Sequence, residues 1–555
     1  MLDRLKSPPS VLVFPFPPLL LPSCERYAMY AFGLSLAATI SLLSLITHTK
    51  SVGITVPIIA PNGAVQVAPT LIGFSLEQDR WTDWAGLNSR NQFFFNVLEN
   101  LKDLTNEPPF IRIGANSEDN TNYNPSIVEP QLVFPNPTTT VPYPEATKIV
   151  VGDAYYEAAR FLLPNTHVVW GVNFGQNNLT AANLEAKAIV KAFGTSAIKS
   201  QGIVLDAIEI GNEPDLYGGN GHRPSGYTST QYVKEWTAFA ANISAAVGIS
   251  QDSNTKFWGA SFAGSSHSTS GFSPQAIFNE GLLNDPTGQL ISTISQHHYS
   301  GSFCSGSGAL LQDLMTKARI RGNLTIFAPD AQTVRGKKID YVLGETNSFS
   351  CHGTPGVSNT AGAALWSLDY ALFATQVQVS RVFFHEGVGF KYNFIQPVTL
   401  TRSTTDATPL PNPLPPHVQP QYYAAIIAAE AIGSSGNTRI VELTISDASI
   451  SGYAFYEGSN LARAVFINLR AFLSTSTSRS QTHIDLTFGN GSAKSATLKR
   501  LAIKHADDTA GLNWAGQTYE SPDGKAIGST KTESVDLQKG FDIQDTAIVL
   551  VSFTL

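Results

Sequence analysis

The chain has 555 residues, of which 43% are hydrophobic, so it carries enough apolar sequence to bury more than one domain core. Only 14% of the residues are charged and the formal net charge is −7. These values exclude the basic surface of a nucleic-acid-binding protein and the charge-rich composition of a disordered chain.

The amino-terminal region is typical of an exported protein. An apolar run at 31–46 is shorter than the roughly 18–20 residues that cross a bilayer, and it follows Met29 and a proline-rich stretch at 11–22. We interpret residues 1–50 as a leader whose apolar run is the core of a signal peptide, with Met29 as an alternative start. A signal anchor is the competing interpretation. The expected location is extracellular, with no stable membrane partner.

Cysteines and glycosylation sequons agree with export. Cys24 would leave with the leader, so the mature chain keeps Cys304 and Cys351. A secreted pair favours a disulfide, which would add about 3–4 kcal/mol by loop-closure entropy. Asn-x-Ser/Thr sequons predict glycosylation at Asn178, Asn242, Asn323 and Asn490.

Between residues 70 and 400, eight short apolar runs alternate with helical stretches, which predicts a (β/α)₈ TIM barrel. The doubly wound sheet is the alternative, but no Gly-x-Gly-x-x-Gly follows the first run. The Asn-, Pro- and Thr-rich segment 117–150 is expected to be a long loop over the barrel mouth. The runs span 71–77, 109–116, 167–174, 205–213, 256–262, 291–299, 340–347 and 381–387.

The pattern changes after residue 400. Residues 401–437 are expected to form a Pro- and Thr-rich linker and a short helix. From 438 to 555 the sequence alternates in short runs typical of a β-sandwich, to which we also assign strands from 52–68. The predicted fold class is therefore α/β, a TIM barrel with a C-terminal β-sandwich.

Two glutamates end the fourth and seventh runs, Glu213 within Asn-Glu-Pro and Glu345 within Gly-Glu-Thr-Asn. Strands four and seven lie three apart in a closed eight-stranded ring, so their carboxyl ends can face each other across the mouth. Retaining glycosidases need two such carboxyls about 5–5.5 Å apart. A glutamate kept protonated by a neighbouring carboxylate can act as the acid, which suits Glu213, and Glu345 suits the ionised partner. Asn212 is placed to bind a sugar hydroxyl.

The sequence resembles the clan of (β/α)₈-barrel retaining glycosidases and, within it, glycoside hydrolase family 79, the β-glucuronidase and heparanase family. The resemblance spans about 52–555 and includes a C-terminal β-sandwich. It rests on GFSLEQDRW (73–81), IRIGANSED (111–119), AIEIGNEPDLY (207–217), SQHHYS (295–300) and FHEGVGFKYNFIQP (384–397).

The resemblance implies that Glu213 is the acid/base and Glu345 the nucleophile. It implies that Asn212 binds the sugar 2-hydroxyl, that Tyr299 hydrogen-bonds the nucleophile and that Tyr392 contacts the uronate carboxylate. Separately, Glu77 ends the first run and is a candidate for sugar hydroxyls, with a solvated loop glutamate as the alternative. Arg112 is expected to brace a carboxylate inside the barrel.

Three other chemistries are less well supported. Glu386 ends the eighth run and is a rival nucleophile without the expected strand position. His297 and His298 have no third ligand at a suitable spacing, so no metal is expected. Cys304 lacks a setting that would activate a thiol.

The expected function is a secreted, retaining β-glucuronidase acting on terminal glucuronic or 4-O-methyl-glucuronic acid of cell-wall glycans or proteoglycans, without a cofactor. The alternatives are another clan activity, β-glucosidase-like or endo-acting and heparanase-like, and an inactive glycan-binding protein.

Overall fold

The computed structural model describes residues 50–489 and 491–555, so residues 1–49 of the predicted leader, with Cys24 and Met29, and the sequon residue Asn490 lie outside the described residues. Lys50, the last residue assigned to the leader, begins a strand. Eight parallel strands close into a barrel, which confirms the predicted fold. Most of their residues are buried, as expected for parallel strands covered on both faces. The barrel strands are, in order, Ile72–Glu77, Ile111–Gly114, His167–Val172, Val204–Ile210, Lys256–Phe262, Ile291–Ser302, Asp340–Ser350 and Arg381–Glu386.

Helices follow the strands and cover the barrel. Several begin at capping side chains; the helix after the fourth strand has a capping box between Thr228 and Gln231. Among residues 50–489 and 491–555, none of the helices combines the length and hydrophobicity needed to cross a membrane. The α-helices are Trp81–Ala85, Gln92–Thr105, Asp153–Glu157, Leu179–Phe193, Ser196–Lys199, Tyr217–Asn220, Ser229–Val247, Pro274–Asn279, Leu311–Leu314, Lys317–Thr325, Ala328–Gly336, Ala361–Ala374 and Tyr422–Ile432.

The C-terminal region is built from two sheets that pack on each other. A three-stranded sheet contains Lys50–Pro57, Gln481–Gly489 and Phe541–Gln544, so a strand from the start of the described chain pairs with this region. The larger sheet contains Val65–Gln66, Thr438–Glu442, Ile450–Glu457, Asn460–Asn468, Ser495–Ala502, Asn513–Trp514, Glu533–Val535 and Ala547–Thr554.

One face of the larger sheet packs against the smaller sheet, and the other belongs to the same hydrophobic core as the barrel. The helix Tyr422–Ile432 is almost wholly buried in this core and packs on Gln92–Thr105 and Ala361–Ala374. The barrel is therefore supported on one side by the C-terminal domain, and its mouth is left open.

Two connecting segments have more structure than their composition suggests. Residues 117–150 carry strands Thr121–Tyr123, Gln131–Val133 and Lys148–Val151, which form a small sheet, so the expected long loop is only partly a loop. In the predicted linker, Leu400–Arg402 pairs with Pro409–Leu414 as an antiparallel hairpin. These strands are three to six residues long, which is too short for a repeating hydrophobic pattern to identify them in the sequence.

Candidate active site

The backbone around Glu213 presents its side chain at the barrel mouth. The fourth strand ends at Ile210, and Gly211 then turns with φ 79°, where a Cβ would lie 2.5 Å from the Phe174 Cβ. Glu213 itself is left-handed at φ 50°, an uncommon conformation for a residue other than glycine. Its N–H donates to the Ser261 carbonyl at 2.9 Å. Strained backbone of this kind clusters at functional sites.

A β-bulge orients Glu345 on the seventh strand. The register against the sixth strand skips one residue, so that Gln296 pairs with Leu343 and His297 with Glu345. The skipped residue is Gly344, where a Cβ would lie 2.1 Å from the Ser295 Oγ. Bulges re-aim side chains beside active sites, and this one directs Glu345 toward the barrel axis.

The two glutamates converge at one point. Oxygens of Glu213 and Glu345 and a ring nitrogen of His297 all lie within 4.8 Å of one another. His297 Nδ1 is 3.0 Å from Glu213 Oε1. The structure thus brings together the two side chains that the strand positions predict.

The surroundings give the two carboxyls opposite protonation. Burial and the neighbouring charge of Glu345 raise the pKa of Glu213 to about 8. Burial alone would raise the pKa of Glu345 too, but the positive charges of His385, His297 and Arg112 outweigh it and hold that pKa well below its ordinary value. Burial lowers the pKa of His297 to about 4, so near pH 7 that ring is neutral and the Arg112 guanidinium supplies a permanent positive charge. An acid and an ionised base therefore stand side by side.

Arg112 is the centre of the network beneath the pair. Its guanidinium donates to Glu345 Oε2 at 2.8 Å, to Glu209 Oε2 at 2.6 Å and to Asn212 Oδ1 at 2.7 Å. The arginine is fully buried and lies under the cavity floor. It braces the carboxylate from within the barrel, as its position on the second run indicates.

Asn212 and Glu77, which the sequence proposes as ligands of sugar hydroxyls, are buried beneath the cavity surface and do not line it. The Asn212 amide accepts from Arg112 and donates to Asn116 Oδ1 at 3.2 Å, and Asn116 lines the cavity. Glu77 is 1% exposed, which rules out a solvated loop glutamate. Its Oε2 accepts from the Ser117 N–H at 3.2 Å.

Two tyrosines form one wall of the site. Tyr299 donates its hydroxyl to Glu345 Oε1 at 2.8 Å, and its ring lies 6.0 Å from that of Tyr392. Both line the cavity. Burial, followed by the charge of Glu345, raises the pKa of each phenol well above its ordinary value, so both hydroxyls remain donors.

Two histidines at the site have no distinctive motif in the sequence. His385 Nδ1 lies 3.2 Å from Ser75 Oγ and its Nε2 lies 3.5 Å from Glu77 Oε1. Burial would lower the pKa of His385, but the charge of Glu345 and the contact with Glu77 outweigh it and raise that pKa above its ordinary value. His352 Nε2 lies 2.9 Å from Glu145 Oε1 at the cavity wall. In the sequence, their one signal is position: His385 lies on the eighth strand, next to its carboxyl end, and His352 follows the seventh strand.

These side chains surround a cavity of about 580 Å³ at the carboxyl ends of the strands. One wall comes from the segment 117–150, through Val141 and Glu145, and the opposite wall comes from the loops after the sixth and seventh strands. Cys304 and Cys351 join those loops in a disulfide with a Cα–Cα distance of 5.1 Å. The cavity is large enough for a sugar ring and its first substituents.

Glu386, the rival nucleophile, lies outside the cavity. Glu386 accepts hydrogen bonds from the N–H groups of Phe394 and Ile395 and does not line the cavity, so it anchors a loop.

Glu213, His297 and Glu345 are close enough to hold a metal ion, so the fold supplies the third ligand that sequence spacing lacks. However, the Arg112 guanidinium already contacts Glu345, and a divalent cation there would repel it.

Of the predicted glycosylation sites within the described residues, Asn242 and Asn323 lie on helices and Asn178 directly precedes one. Asn178 and Asn242 are exposed and Asn323 is half-buried. The Asn178 side chain caps a helix by accepting from the N–H groups of Thr180 and Ala181.

Residues 452–550 match the glycosyl hydrolase family 79 C-terminal beta domain. A β-glucuronidase of Aspergillus niger is 28% identical over 527 residues, which cover 90% of this chain and 92% of that protein. A β-glucuronidase of Neurospora crassa is 28% identical over 524 residues, which cover 86% of this chain and 89% of that protein.

Solved structures agree in fold. A 4-O-α-L-rhamnosyl-β-D-glucuronidase from Fusarium oxysporum, in complex with Rha-GlcA, superposes with a TM-score of 0.72 at 24% identity, over 90% of this chain and 100% of that one. A family 51 α-L-arabinofuranosidase from Bifidobacterium longum gives a TM-score of 0.57 at 16% identity, over 91% of this chain and 100% of that one. With these relatives, the closed barrel and the C-terminal match, the chain is a glycoside hydrolase that acts on carbohydrate, and it is similar to the glycosidases of family 79.

Proposed function

We propose that this glycosidase is a retaining, exo-acting β-glucuronidase that removes terminal glucuronate, or its 4-O-methyl ether, from cell-wall glycans or proteoglycans. The observation that carries the proposal is the juxtaposition of Glu213 and Glu345, whose oxygens lie within 4.8 Å of each other. This separation suits a direct attack on the sugar, because inverting enzymes hold their carboxyls about 6.5–9.5 Å apart to admit a water.

In the first step the Glu345 carboxylate attacks C1 of the sugar while the protonated Glu213 donates its proton to the leaving oxygen. The C1–O bond of the leaving group breaks as the C1–O bond to Glu345 forms. Glu213, now ionised, then takes a proton from water, which attacks C1 and releases Glu345. Two inversions at C1 return the β configuration.

The carboxylate of the substrate needs donors at the far end of the sugar. Cys351 and His352 line the cavity and adopt left-handed backbone at φ 59° and 69°. The next N–H, of Gly353, donates to the Phe349 carbonyl at 3.0 Å and holds the turn in place. Successive N–H groups in such turns form concavities suited to anions. We assign the substrate carboxylate to this turn, with the Tyr392 hydroxyl as a second donor. The β-glucuronidase names of two relatives support the same substrate class.

The activity is tested by comparing aryl β-D-glucuronide, β-D-glucoside and β-D-xyloside under the same conditions, with ¹H NMR of the first-formed anomer. We expect the glucuronide to be cleaved preferentially, with β-glucuronate appearing first and no loss of rate in a chelator. Preferred cleavage of the glucoside would make the enzyme β-glucosidase-like, and cleavage within a uronate-containing chain would make it endo-acting.

Substitution of each glutamate distinguishes an enzyme from a glycan-binding protein. Both Glu→Gln substitutions preserve side-chain size and should leave folding and sugar binding nearly intact. Glu345→Gln should abolish hydrolysis, and Glu213→Gln should reduce it by roughly 10²–10⁴-fold. If the unmodified chain turns over no uronide or hexoside, the protein is an inactive glycan binder.

Secretion is part of the same proposal. It is supported by the disulfide in the described chain and by the exposed sequon asparagines Asn178 and Asn242. Expression of the full chain in a eukaryotic host, followed by mass measurement before and after glycosidase treatment of the medium, tests it. Recovery of an unglycosylated chain only inside the cells would contradict it.

A further inference from the structure

A second cavity, of about 300 Å³, lies at the opposite end of the barrel from the glutamate pair. Residues at or near the starts of seven barrel strands line it, including His167, Lys256, Asp340 and Arg381, each the first residue of its strand. In barrels of this type the amino-terminal end is normally closed by packing. Here the end is open and polar.

The floor of this cavity, which we call the base cavity, is apolar. Trp258 and Phe383 meet edge to face, with ring centroids 5.2 Å apart, and Val342 packs in the same small cluster. These side chains close off the barrel interior. A ligand entering from the base would place an apolar face on them.

Arg381 is the exceptional residue at the rim. Its guanidinium lies 4.1 Å above the ring centroid of Phe110, and the His167 ring stacks on the same phenylalanine at 4.8 Å. In the described part of the chain the Arg381 side chain makes no hydrogen bond and no ion pair, although its Nε is shielded from solvent. Burial lowers the pKa of Arg381 despite the nearby acids.

The acids around the rim are already engaged with other partners. Asp206 Oδ2 is 2.7 Å from His167 Nδ1, and Asp340 pairs with Arg335. Arg381 is half-buried and stacked on Phe110, and neither of the acids that line the cavity is hydrogen-bonded to it in the described part of the chain. An N–H group that is shielded from solvent and has no acceptor costs stability, so the Arg381 Nε favours a ligand that supplies an acceptor oxygen.

We propose that the base cavity binds a small sugar carboxylate, with the carboxylate on Arg381 and the ring face on Trp258 and Phe383. A planar guanidinium favours a carboxylate or a phosphate. Asp206 and Asp340 would repel a dianionic phosphate but can accept hydrogen bonds from sugar hydroxyls, as can Ser292 and Thr293 at the rim. The proposal does not depend on the reaction proposed for the other end of the barrel.

The test is binding of D-glucuronate to the full chain, followed by calorimetry, in the unmodified protein and in Arg381→Met. We expect a site that D-glucose and inorganic phosphate do not fill and whose affinity falls at least tenfold in Arg381→Met. Inhibition of hydrolysis by glucuronate should be the same in both proteins, because the glutamate pair is at the other end of the barrel.

Two further measurements separate ligand binding from a structural role of the arginine. Without ligand, Arg381→Met should melt at the same or a higher temperature than the unmodified protein, since it removes a shielded N–H group that has no acceptor; a lower melting temperature would show that the arginine stabilises the fold instead. Ser292→Phe, at the exposed rim, should block the site without touching Arg381. Glucuronate binding that is unchanged in both variants, or phosphate binding in preference to glucuronate, overturns the proposal.

Discussion

Glu213 and Glu345 are the same residue type, and their different chemistry comes from their neighbours. Glu345 accepts hydrogen bonds from Arg112 and Tyr299, whereas Glu213 contacts only the neutral ring of His297 and faces the charge of Glu345. The motif Asn-Glu-Pro marks the acid in sequence. The neighbouring charges that make Glu213 an acid come from four other strands, so the sequence around the motif does not show them.

The pH dependence of hydrolysis follows from this difference. Since the pKa of Glu213 is raised to about 8, the acid is protonated and competent below that pH and loses its proton above it. We expect kcat/KM for an alkyl glucuronide to be constant from pH 5 to 7 and to fall tenfold per unit above pH about 8.

Glu213→Gln provides the control for that profile. It should reduce the rate on the alkyl glucuronide by roughly 10²–10⁴-fold, the usual contribution of a general acid, and remove the alkaline decline. A decline that persists in Glu213→Gln would assign the titrating group to another residue.

Tyr299 acts through Glu345. Removing its hydroxyl in Tyr299→Phe deletes a hydrogen bond to a charged group, worth roughly 1.5–3 kcal/mol, so we expect kcat/KM to fall about ten- to one-hundred-fold. The loss of a donor should also raise the pKa of Glu345 and move the acidic limb of the profile upward. An acidic limb that stays in place while the rate falls would indicate that Tyr299 contacts substrate instead. Tyr341→Phe, on the seventh strand, is a matched control away from the cavity.

The order of strands and helices was the most predictable feature of the molecule. All eight apolar runs became barrel strands because each is a short segment buried on both faces and bounded by polar turns. Carboxyl ends of parallel strands meet at one face, so the ordinal positions of Glu213 and Glu345 were enough to predict their meeting.

The connections were less predictable. His352 and Glu145 come from loops about two hundred residues apart, and the sheet within 117–150 lacks an apolar pattern. Their positions depend on packing against the barrel mouth, which local sequence does not encode. The base cavity could not be predicted from the sequence for a similar reason, because its lining residues come from the starts of several strands.

The disulfide links two loops that line the cavity. In Cys304→Ser with Cys351→Ser, loss of the 47-residue closure should lower the free energy of unfolding by about 3–4 kcal/mol. Because Cys351 begins the turn assigned to the substrate carboxylate, KM for the glucuronide should rise more than kcat falls. Denaturant titration and steady-state kinetics on the same preparation measure both effects. Unchanged KM with lower stability would confine the bridge to a structural role.

At the scale of the whole molecule, the barrel and the C-terminal domain share one hydrophobic core. Residues of both, from Phe74 in the first barrel strand to Leu550 in the last strand of the chain, belong to the same buried cluster. Unfolding of either domain would therefore expose buried apolar side chains of the other domain to solvent. We therefore expect a single unfolding transition, although chains of this size often unfold domain by domain.

Arg321 is the polar connection across that shared core. From a barrel helix it donates to Asp369 Oδ2 at 2.6 Å and to Glu442 Oε1 at 2.7 Å, and its Nη2 donates to Tyr453 at 2.9 Å in the C-terminal domain. Asp369 is fully buried, so Arg321→Met should leave an uncompensated charge and cost about 3–5 kcal/mol.

Urea titration followed by tryptophan fluorescence and by far-ultraviolet circular dichroism measures this cost, and the two signals should shift together. Asp369→Asn should destabilise less than Arg321→Met, and the double variant should lose less than the sum, since each removes the same interaction. If Arg321→Met instead splits the transition in two, with the barrel melting at its original urea concentration, the two domains are energetically independent. The C-terminal domain would then not be required to hold the catalytic barrel closed.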